Sequence, residues 1–332
     1  MKQQTIAVFG EALVDDFFTE QVVGGAPFNV ARNLAAFGVS TLMVTRIGQD
    51  AHGALVQHEF ARFGMREAGL QVGADEATGR VVVERSESGS GHRFIILPDQ
   101  AYDYIAATPA LAALAQAQPD VLYFGTMAQR HATSRGTVRA MLEQSSAHRY
   151  LDLNVREGQM TERCAFESLH LADIVKVNED ELQALFTWYI PGAAATSSID
   201  SSTDVQAACR ALMHMFALHT LIVTLGERGA MVFEADGALS VNHECHAPAR
   251  IVDTVGAGDA FSSVFLYGRA QGWLLPLTLA RANAFAGAIC GIAGAVPQDL
   301  AFYQPWLAAW QRGEVLPASP ATPVTTLTET AA

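Results

Sequence analysis

The stretch Asp253-Thr254-Val255-Gly256-Ala257-Gly258-Asp259-Ala260-Phe261 sets two glycines and an alanine just ahead of an acid. A small-residue, apolar helix pattern follows, from Ala260 to about Ala270. Backbone nearly bare of side chains that leads into a helix leaves N–H groups unpaired at that end. The same end carries roughly half a unit of positive charge from the helix dipole, and an anion binds there readily. A carboxylate at Asp259 is then placed to take a proton from a hydroxyl held beside that anion. Cradle and base together suggest phosphoryl transfer to an alcohol. Taken alone, the segment is explained equally well as a Gly-rich turn with Asp259 as an ordinary N-terminal helix residue.

Other chemistry-bearing residues stand at element ends. Thr5 to Gly10 reads as a short buried strand, and Glu11, Asp15 and Asp16 follow directly off its end, where α/β sheets place ligands. Gly24-Gly25-Ala26-Pro27-Phe28-Asn29 precedes a helix pattern from Val30 to Phe37, stopped by Gly38. Asn178-Glu179-Asp180-Glu181 follows a strand at Ile174 to Asn178; capping of a helix start is the alternative to a ligand role. Leu225-Gly226-Glu227-Arg228-Gly229 separates a strand at Leu221 to Leu225 from a return strand at Ala230 to Glu234, so its glycines also fit a plain hairpin turn.

The elements that must position these residues alternate. Strands are expected at Thr41 to Arg46, Val121 to Gly125 and Arg149 to Asn154. Helices are expected from the loop Gly48–Gly53 to near Gly64, at Thr133–Ser145 and Glu162–Leu171, from Leu277 to about Gly294, and near Pro305–Gln311. Such alternation predicts an α/β fold, a mostly parallel sheet with helices on both faces. Two apolar runs, Arg80 to Arg85 and His92 to Leu97, flank a Ser/Gly turn and read as a hairpin outside the main sheet, a lid or a dimer edge, with an ordinary surface hairpin as the alternative. Thr187 to Thr203 reads as a mobile surface insertion, and the Pro/Thr/Ala-rich tail from Gly313 as disordered.

Composition removes several classes of function. Of 332 residues, 50% are hydrophobic and 17% charged, which is a folded globular chain. The net charge of −13 argues against nucleic acid and acidic membrane surfaces as partners. The cysteines, Cys164, Cys209, Cys245 and Cys290, are widely spaced and form no metal or disulfide framework. Reduced thiols and a cytoplasmic location are expected. The N-terminus does not read as a signal peptide, and no apolar run reaches membrane-spanning length. A dinucleotide dehydrogenase is disfavoured, because the first strand runs into GEALVD and not GxGxxG.

Gly24 to Ala31, with Gly38 and Gly48 at their spacings, resembles the N-terminal signature of the PfkB/ribokinase family of carbohydrate kinases, and Asp253 to Ser263 resembles that family's C-terminal signature. Val264 departs from it, standing where the family usually has Gly or Ala; that is a packing change. The resemblance covers residues 5 to about 300 and is greatest to bacterial fructokinases. It implies a ribokinase-like sheet with a small β lid, organised as one kinase domain over 1–312 with lid segments near 15–24 and 80–100. It implies Asp259 as catalytic base, with Gly256, Ala257, Gly258 and the Asp259 amide as the anion hole. Asp15, favoured over its neighbour Asp16, would hold sugar hydroxyls together with Gly25 and Asn29; a helix cap is the alternative for Asn29. Arg156, at the end of Asp152-Leu153-Asn154-Val155-Arg156, would face substrate or phosphate, although the sequence beyond it departs from the family and a surface salt bridge explains it equally. Asn178, Thr224, Gly226, Gly229 and Asn283 would bind ATP. Glu181 would support Mg²⁺ through water, and Asp253 a monovalent cation such as K⁺, or else a structural cap. The expected cofactors are thus ATP, Mg²⁺ and K⁺, and the expected partners a small sugar and, through the lid, a second subunit in a homodimer. A kinase for ribose or 2-keto-3-deoxygluconate, and a silent sugar- or nucleotide-binding module, are the other readings.

Overall fold

Strand β1 (Thr5–Phe9) sends Ile6 and Val8 to one core and Ala7 and Phe9 to another, and all four are fully buried. Side chains alternate across a strand, so a strand buried on both faces belongs in the middle of a sheet covered by two layers. The computed structural model describes residues 4–16, 21–85, 92–156, 158–193, 202–244, 248 and 250–316, apart from the side chains of 83–85 and 92–94. Among these residues the chain runs β1, β2 (Leu13–Asp16), β3 (Gln21–Gly24), α1 (Ala26–Ala36), β4 (Ser40–Gly48), α2 (Ala51–Arg62), β5 (Leu70–Gly73), β6 (Gly79–Arg85) and β7 (His92–Ile96). It continues with α3 (Ala107–Ala117), β8 (Val121–Phe124), α4 (Ala132–Gln144), β9 (His148–Asp152), α5 (Glu162–Leu171), β10 (Ile174–Asn178), α6 (Glu179–Tyr189) and α7 (Thr203–Phe216). The last elements are β11 (Thr220–Thr224), β12 (Ala230–Glu234), β13 (Leu239–Asn242), α8 (Ala257–Gln271), α9 (Leu275–Ile289) and α10 (Tyr303–Gln311).

Nine strands form the large sheet in the order β13-β12-β11-β10-β9-β8-β1-β4-β5. All neighbours are parallel except at one edge, where β12 returns antiparallel to β11 and β13 to β12. Helices α4 to α7 bury Val138, Leu169, Leu185 and Leu212 on one face, and α1, α8 and α9 bury Leu34, Phe265 and Phe285 on the other. The expected mostly parallel α/β sheet with helices on both faces is what forms. Four strands make a separate small sheet, β3-β2-β6-β7. It sits over the C-terminal ends of the large sheet's strands, since β2 follows β1 after only three residues, Gly10 to Ala12. The hairpin expected at 80–97 pairs Val81 with Ile96 and Val82 with Ile95; its turn, 86–91, lies outside the described residues.

Several boundaries differ from the sequence expectation, each for a local reason. Helix α1 starts at Ala26, four residues before Val30, because Pro27 suits the first helical turn. Helix α9 likewise starts at Leu275 beside Pro276. It stops at Ile289 and not near Gly294, which turns with φ +76°. Helix α6 runs to Tyr189, into what was expected to be a loop; residues 194–201 of that loop, and 317–332 of the expected disordered tail, lie outside the described residues. Strands β5 and β13 and helix α3 have no counterpart in the sequence reading. No helix among the described residues is long and apolar enough to cross a membrane.

Candidate active site

The segments after β1 and β9, the start of α1 and the N-terminus of α8 meet at one place, where Asn29 bonds Asp259 and the charges of Glu11 and Arg156 act on it. Gly256 caps α8 in the left-handed region, φ +80°. A Cβ there would come within 2.4 Å of the Ala295 Cβ, so both backbone conformation and space demand glycine. The Ala257 amide already donates to the Thr254 carbonyl at 3.3 Å. The Gly258 and Asp259 amides, the next two of the first turn, have no carbonyl one turn back within the helix to bond. Ala257, expected to contribute its N–H to an anion, is engaged in the turn bond to Thr254 in the structure. Gly258 has its own steric reason: a Cβ would lie 3.0 Å from the Lys176 ammonium.

Asp259 is the third residue of α8 and is 9% exposed. Burial raises its carboxyl from the ordinary 3.8 to about 6; Asn29, Lys176 and Arg156 hold it down, and Asp152 pushes it up. A base that titrates near neutrality is matched to accepting an alcohol proton. Asn29 donates from Nδ2 to Asp259 at 2.7 Å. Its own amide bonds the Gly25 carbonyl inside α1, which Gly25 caps, so Asn29 is not the helix cap. Gly25 has φ +104°, and a Cβ on it would strike the Glu11 carbonyl at 2.5 Å.

The two acids after β1 are separated by their partners. Asp16 is tied to Arg80 and to Gln21 on the small sheet. Asp15 faces inward: burial raises its carboxyl to about 6, Arg156 and Arg32 lower it, and Asp253 raises it. A side chain at Gly24 would collide with Asp15 Oδ2 at 2.7 Å. Arg156 is exposed, yet its charge acts on Glu11, Asp15 and Asp259 alike. The fold thus gathers Asp15, Gly25, Asn29, Arg156 and Asp259 at one place from four separate segments.

The remaining predicted residues divide. Asn178 and Glu181 form a reciprocal capping box on α6: the Asn178 side chain accepts from the Glu181 amide at 2.8 Å, and Glu181 accepts from the Asn178 amide at 2.9 Å. The second Glu181 oxygen accepts from Val155 at 2.8 Å, and burial raises this carboxyl despite Lys176 beside it. Asp253 makes a cap-like bond to the Val255 amide at 3.0 Å. Thr224 bonds back to the Val177 carbonyl at 3.4 Å. Gly226 and Gly229 bound a tight turn, Gly226–Arg228, at the end of β11. Gly229 has φ +91°, and a Cβ there would sit 1.9 Å from the Asn242 carbonyl. Asn283 donates to Asn242 Oδ1 at 2.6 Å. Gly229, Asn242 and Asn283 thus meet at the antiparallel edge of the sheet, where α9 packs on β13.

Sequence reasoning missed the floor of the site. Lys176 is buried and reaches both oxygens of Asp152 at 3.0 Å. Asp152 also accepts from Ser262 at 3.0 Å and Tyr123 at 3.1 Å. Burial works against the charge of Lys176, but Asp152, Glu181 and Asp259 outweigh it and raise the ammonium above its ordinary value. A lysine in the middle of the apolar strand Ile-Val-Lys-Val was a legible signal, since buried lysines need partners. Glu11 is 2% exposed with one carboxyl oxygen unpartnered, and burial lifts it to about 7. No cluster of three or more His, Cys, Asp or Glu suited to hold a metal occurs among the described residues.

The profile of the pfkB family of carbohydrate kinases matches residues 5–299. Among similar proteins are a fructokinase of Klebsiella pneumoniae, 29% identical over 278 residues, which cover 80% of this chain and 84% of that protein, and a fructokinase of Escherichia coli, 27% identical over 273 residues, 79% and 83%. Among solved structures, the fructokinase of Xylella fastidiosa with bound ATP aligns with a TM-score of 0.76 at 22% identity, covering 94% of this chain and all of that one. A mutant fructokinase of Vibrio cholerae bound to fructose, ADP and a potassium ion aligns at 0.71, with 22% identity, covering 91% and 98%.

Proposed function

Since the chain belongs to the pfkB family of carbohydrate kinases, we propose that it transfers the γ-phosphoryl group of ATP to a primary hydroxyl of a free ketose, in the manner of a fructokinase. The observation that carries this is the geometry at the start of α8: a buried carboxylate, held by Asn29 and shifted to about 6, within one residue of free helix-end amides. Asp259 takes the sugar hydroxyl proton as the oxygen attacks phosphorus. The Gly258 and Asp259 amides and the nearby Lys176 meet the charge on the transferring group. Asp15, Gly25 and Arg156 hold the sugar, and Asn29 both touches it and orients the base.

ATP lies along the edge where Gly229, Asn242 and Asn283 meet, with Thr224 and Gly226 lining the approach. Mg²⁺ supplies charge neutralisation of the phosphates when bound, and Glu181 orders its water shell from beside Lys176. Asn178 supports Glu181 through the capping box. The potassium ion bound to the Vibrio cholerae fructokinase mutant supports Asp253 as part of a monovalent-cation site. One kinase unit over 1–312, closed by the small sheet, is the organisation this reading uses, and a homodimer through that sheet's edge is its expected assembly.

The test is a sugar panel (fructose, ribose, 2-keto-3-deoxygluconate and their polyols) with ATP and Mg²⁺, followed by ADP release, and phosphorus NMR of the product. Fructose is expected to turn over fastest and to be esterified at a primary hydroxyl. ATP binding without phosphorylated product from any acceptor would leave only a binding module. Faster turnover of the sugar acid would replace the ketose with an acid, for which Arg156 is the natural partner.

A further inference from the structure

Asn29 is itself held. Its Oδ1 accepts from Arg32 Nη2 at 2.6 Å, while its Nδ2 donates to Asp259 at 2.7 Å. Arg32 is 3% exposed and spans three elements from this position. Nη1 bonds Glu59 of α2 at 2.6 Å, and Nη2 also bonds the Val23 carbonyl of β3, on the small sheet, at 2.8 Å. Glu59 is in turn gripped by Arg62 at 2.7 Å through both of its oxygens. A hydrogen-bonded line therefore runs Arg62–Glu59–Arg32–Asn29–Asp259, with a branch to the lid strand.

The two ends of an amide are told apart by their partners. A guanidinium has only donors, so the Asn29 end facing it must be the carbonyl. The NH₂ end is then forced toward Asp259, the only arrangement in which Asn29 stabilises the ionised carboxylate. Without Arg32 the amide is free to turn and present its oxygen to Asp259, which would repel. Arg32 is bound to the lid strand as well, so a shift of β3 is felt at the same amide.

Resting on the reading of Asp259 as the base, we propose that Arg32 is a positioning residue that fixes the orientation of Asn29 and so sets the pH range over which Asp259 works as a base, with the lid strand β3 coupled into the same contact. Asp259 is faced by Asn29 from α1, Tyr123 from β8, Asp152 from β9, Lys176 from β10, and by Arg156 and Glu11 from the segments after β9 and β1. Arg32 is faced by Glu59 and Arg62 from α2 and by Tyr303 from α10, and its charge reaches Asp15. The Asn29 bond is the largest influence lowering the Asp259 carboxyl. Losing it raises that carboxyl, so the acid limb of turnover moves to higher pH.

The experiment measures turnover against pH with saturating ATP and fructose, or the best acceptor of the panel above, for the wild type, Arg32→Met, Arg32→Lys and the double variant R32M/E59M. Arg32→Met is expected to move the acid limb up by about one pH unit, a roughly tenfold loss of turnover below it, with KM for ATP unchanged. Arg32→Lys, which restores a donor, is expected to recover part of the shift. The double variant replaces a buried ion pair with apolar side chains, which proteins tolerate well. It should recover the melting temperature lost by Arg32→Met and keep the displaced limb. A profile of Arg32→Met that coincides with the wild type overturns the proposal, as does a double variant whose limb returns together with its stability. Asp259→Asn run alongside separates the readings. If it retains wild-type turnover, the base assignment falls and this inference with it. If it is inactive while Arg32→Met follows the wild-type profile, only the role of Arg32 falls.

Discussion

Replacing Asp259 with Asn is expected to cost the protein its turnover and to make it more stable. Asn has the shape of Asp and keeps an oxygen for the Asn29 NH₂ group at 2.7 Å, but it cannot accept a proton. General-base catalysis contributes typically 10²–10⁴-fold, so kcat should fall by about that factor while ATP still binds. The stability effect follows from burial. The carboxyl stands at about 6 in the fold against an ordinary 3.8, a difference of about two units, and one unit is about 1.4 kcal/mol. A raised acid binds its proton more tightly in the folded state, so its stabilising effect is complete below the unfolded value and is lost as pH rises through the folded one. At pH 7.5 the ionised Asp259 therefore costs the fold roughly 2–3 kcal/mol, which Asn does not incur. For a chain of this size that is about 5 °C in melting temperature. The assay is a pair of thermal melts, at pH 7.5 and pH 4, beside steady-state kinetics. The variant should melt higher than the wild type at pH 7.5 and converge with it at pH 4. Turnover within a few-fold of the wild type would refute the base, and an unchanged or lower melting temperature at pH 7.5 would refute the buried, ionised carboxylate.

Asp15→Ala should raise KM for the sugar by tenfold or more, as expected for a lost charged hydrogen-bond partner, whereas Asp16→Ala, which frees Arg80 and Gln21 on the small sheet, should leave KM within about twofold, because a partly exposed pair contributes little; equal effects in acceptor titrations would reject the distinction. Lys176→Met leaves Asp152 buried without its cation and should cost about 3–5 kcal/mol in denaturant unfolding together with most of the turnover; a variant as stable as the wild type would show that the pair is not needed. Gly229→Ala forces a Cβ to within 1.9 Å of the Asn242 carbonyl, which must disturb the Asn242–Asn283 contact, so KM for ATP should rise with KM for the sugar unaffected, and the reverse pattern in two-substrate kinetics would place the nucleotide elsewhere.

Much of this was written into the linear order of residues. Alternation of short apolar runs with helical patterns determines a mostly parallel sheet, because a strand such as Ile6 to Phe9, apolar on both faces, has no stable place except between two layers. Gly256 and Asp259 stand three residues apart, and that spacing alone places an acid in the first turn of a glycine-capped helix. Pairings across long separations were beyond the sequence. Asn29 and Asp259 are 230 positions apart, and nothing local says that the amide serves the carboxylate. Nor does it say that Ala257 spends its N–H on Thr254, whereas the capping box of Asn178 and Glu181, three residues apart, was one of the two readings their spacing allowed. Arg32 and Glu59 read as ordinary charges in helices, and Lys176, conspicuous in an apolar strand, names no partner. Only burial converts them, since a charge removed from water must find a partner, and the partner is supplied by whichever element the tertiary fold packs against it. The sequence alone determined which residues could carry the chemistry. The packing of α1 on α8 decided which of them touch, so that the Asn29 amide reaches Asp259 and Arg32 reaches Asn29.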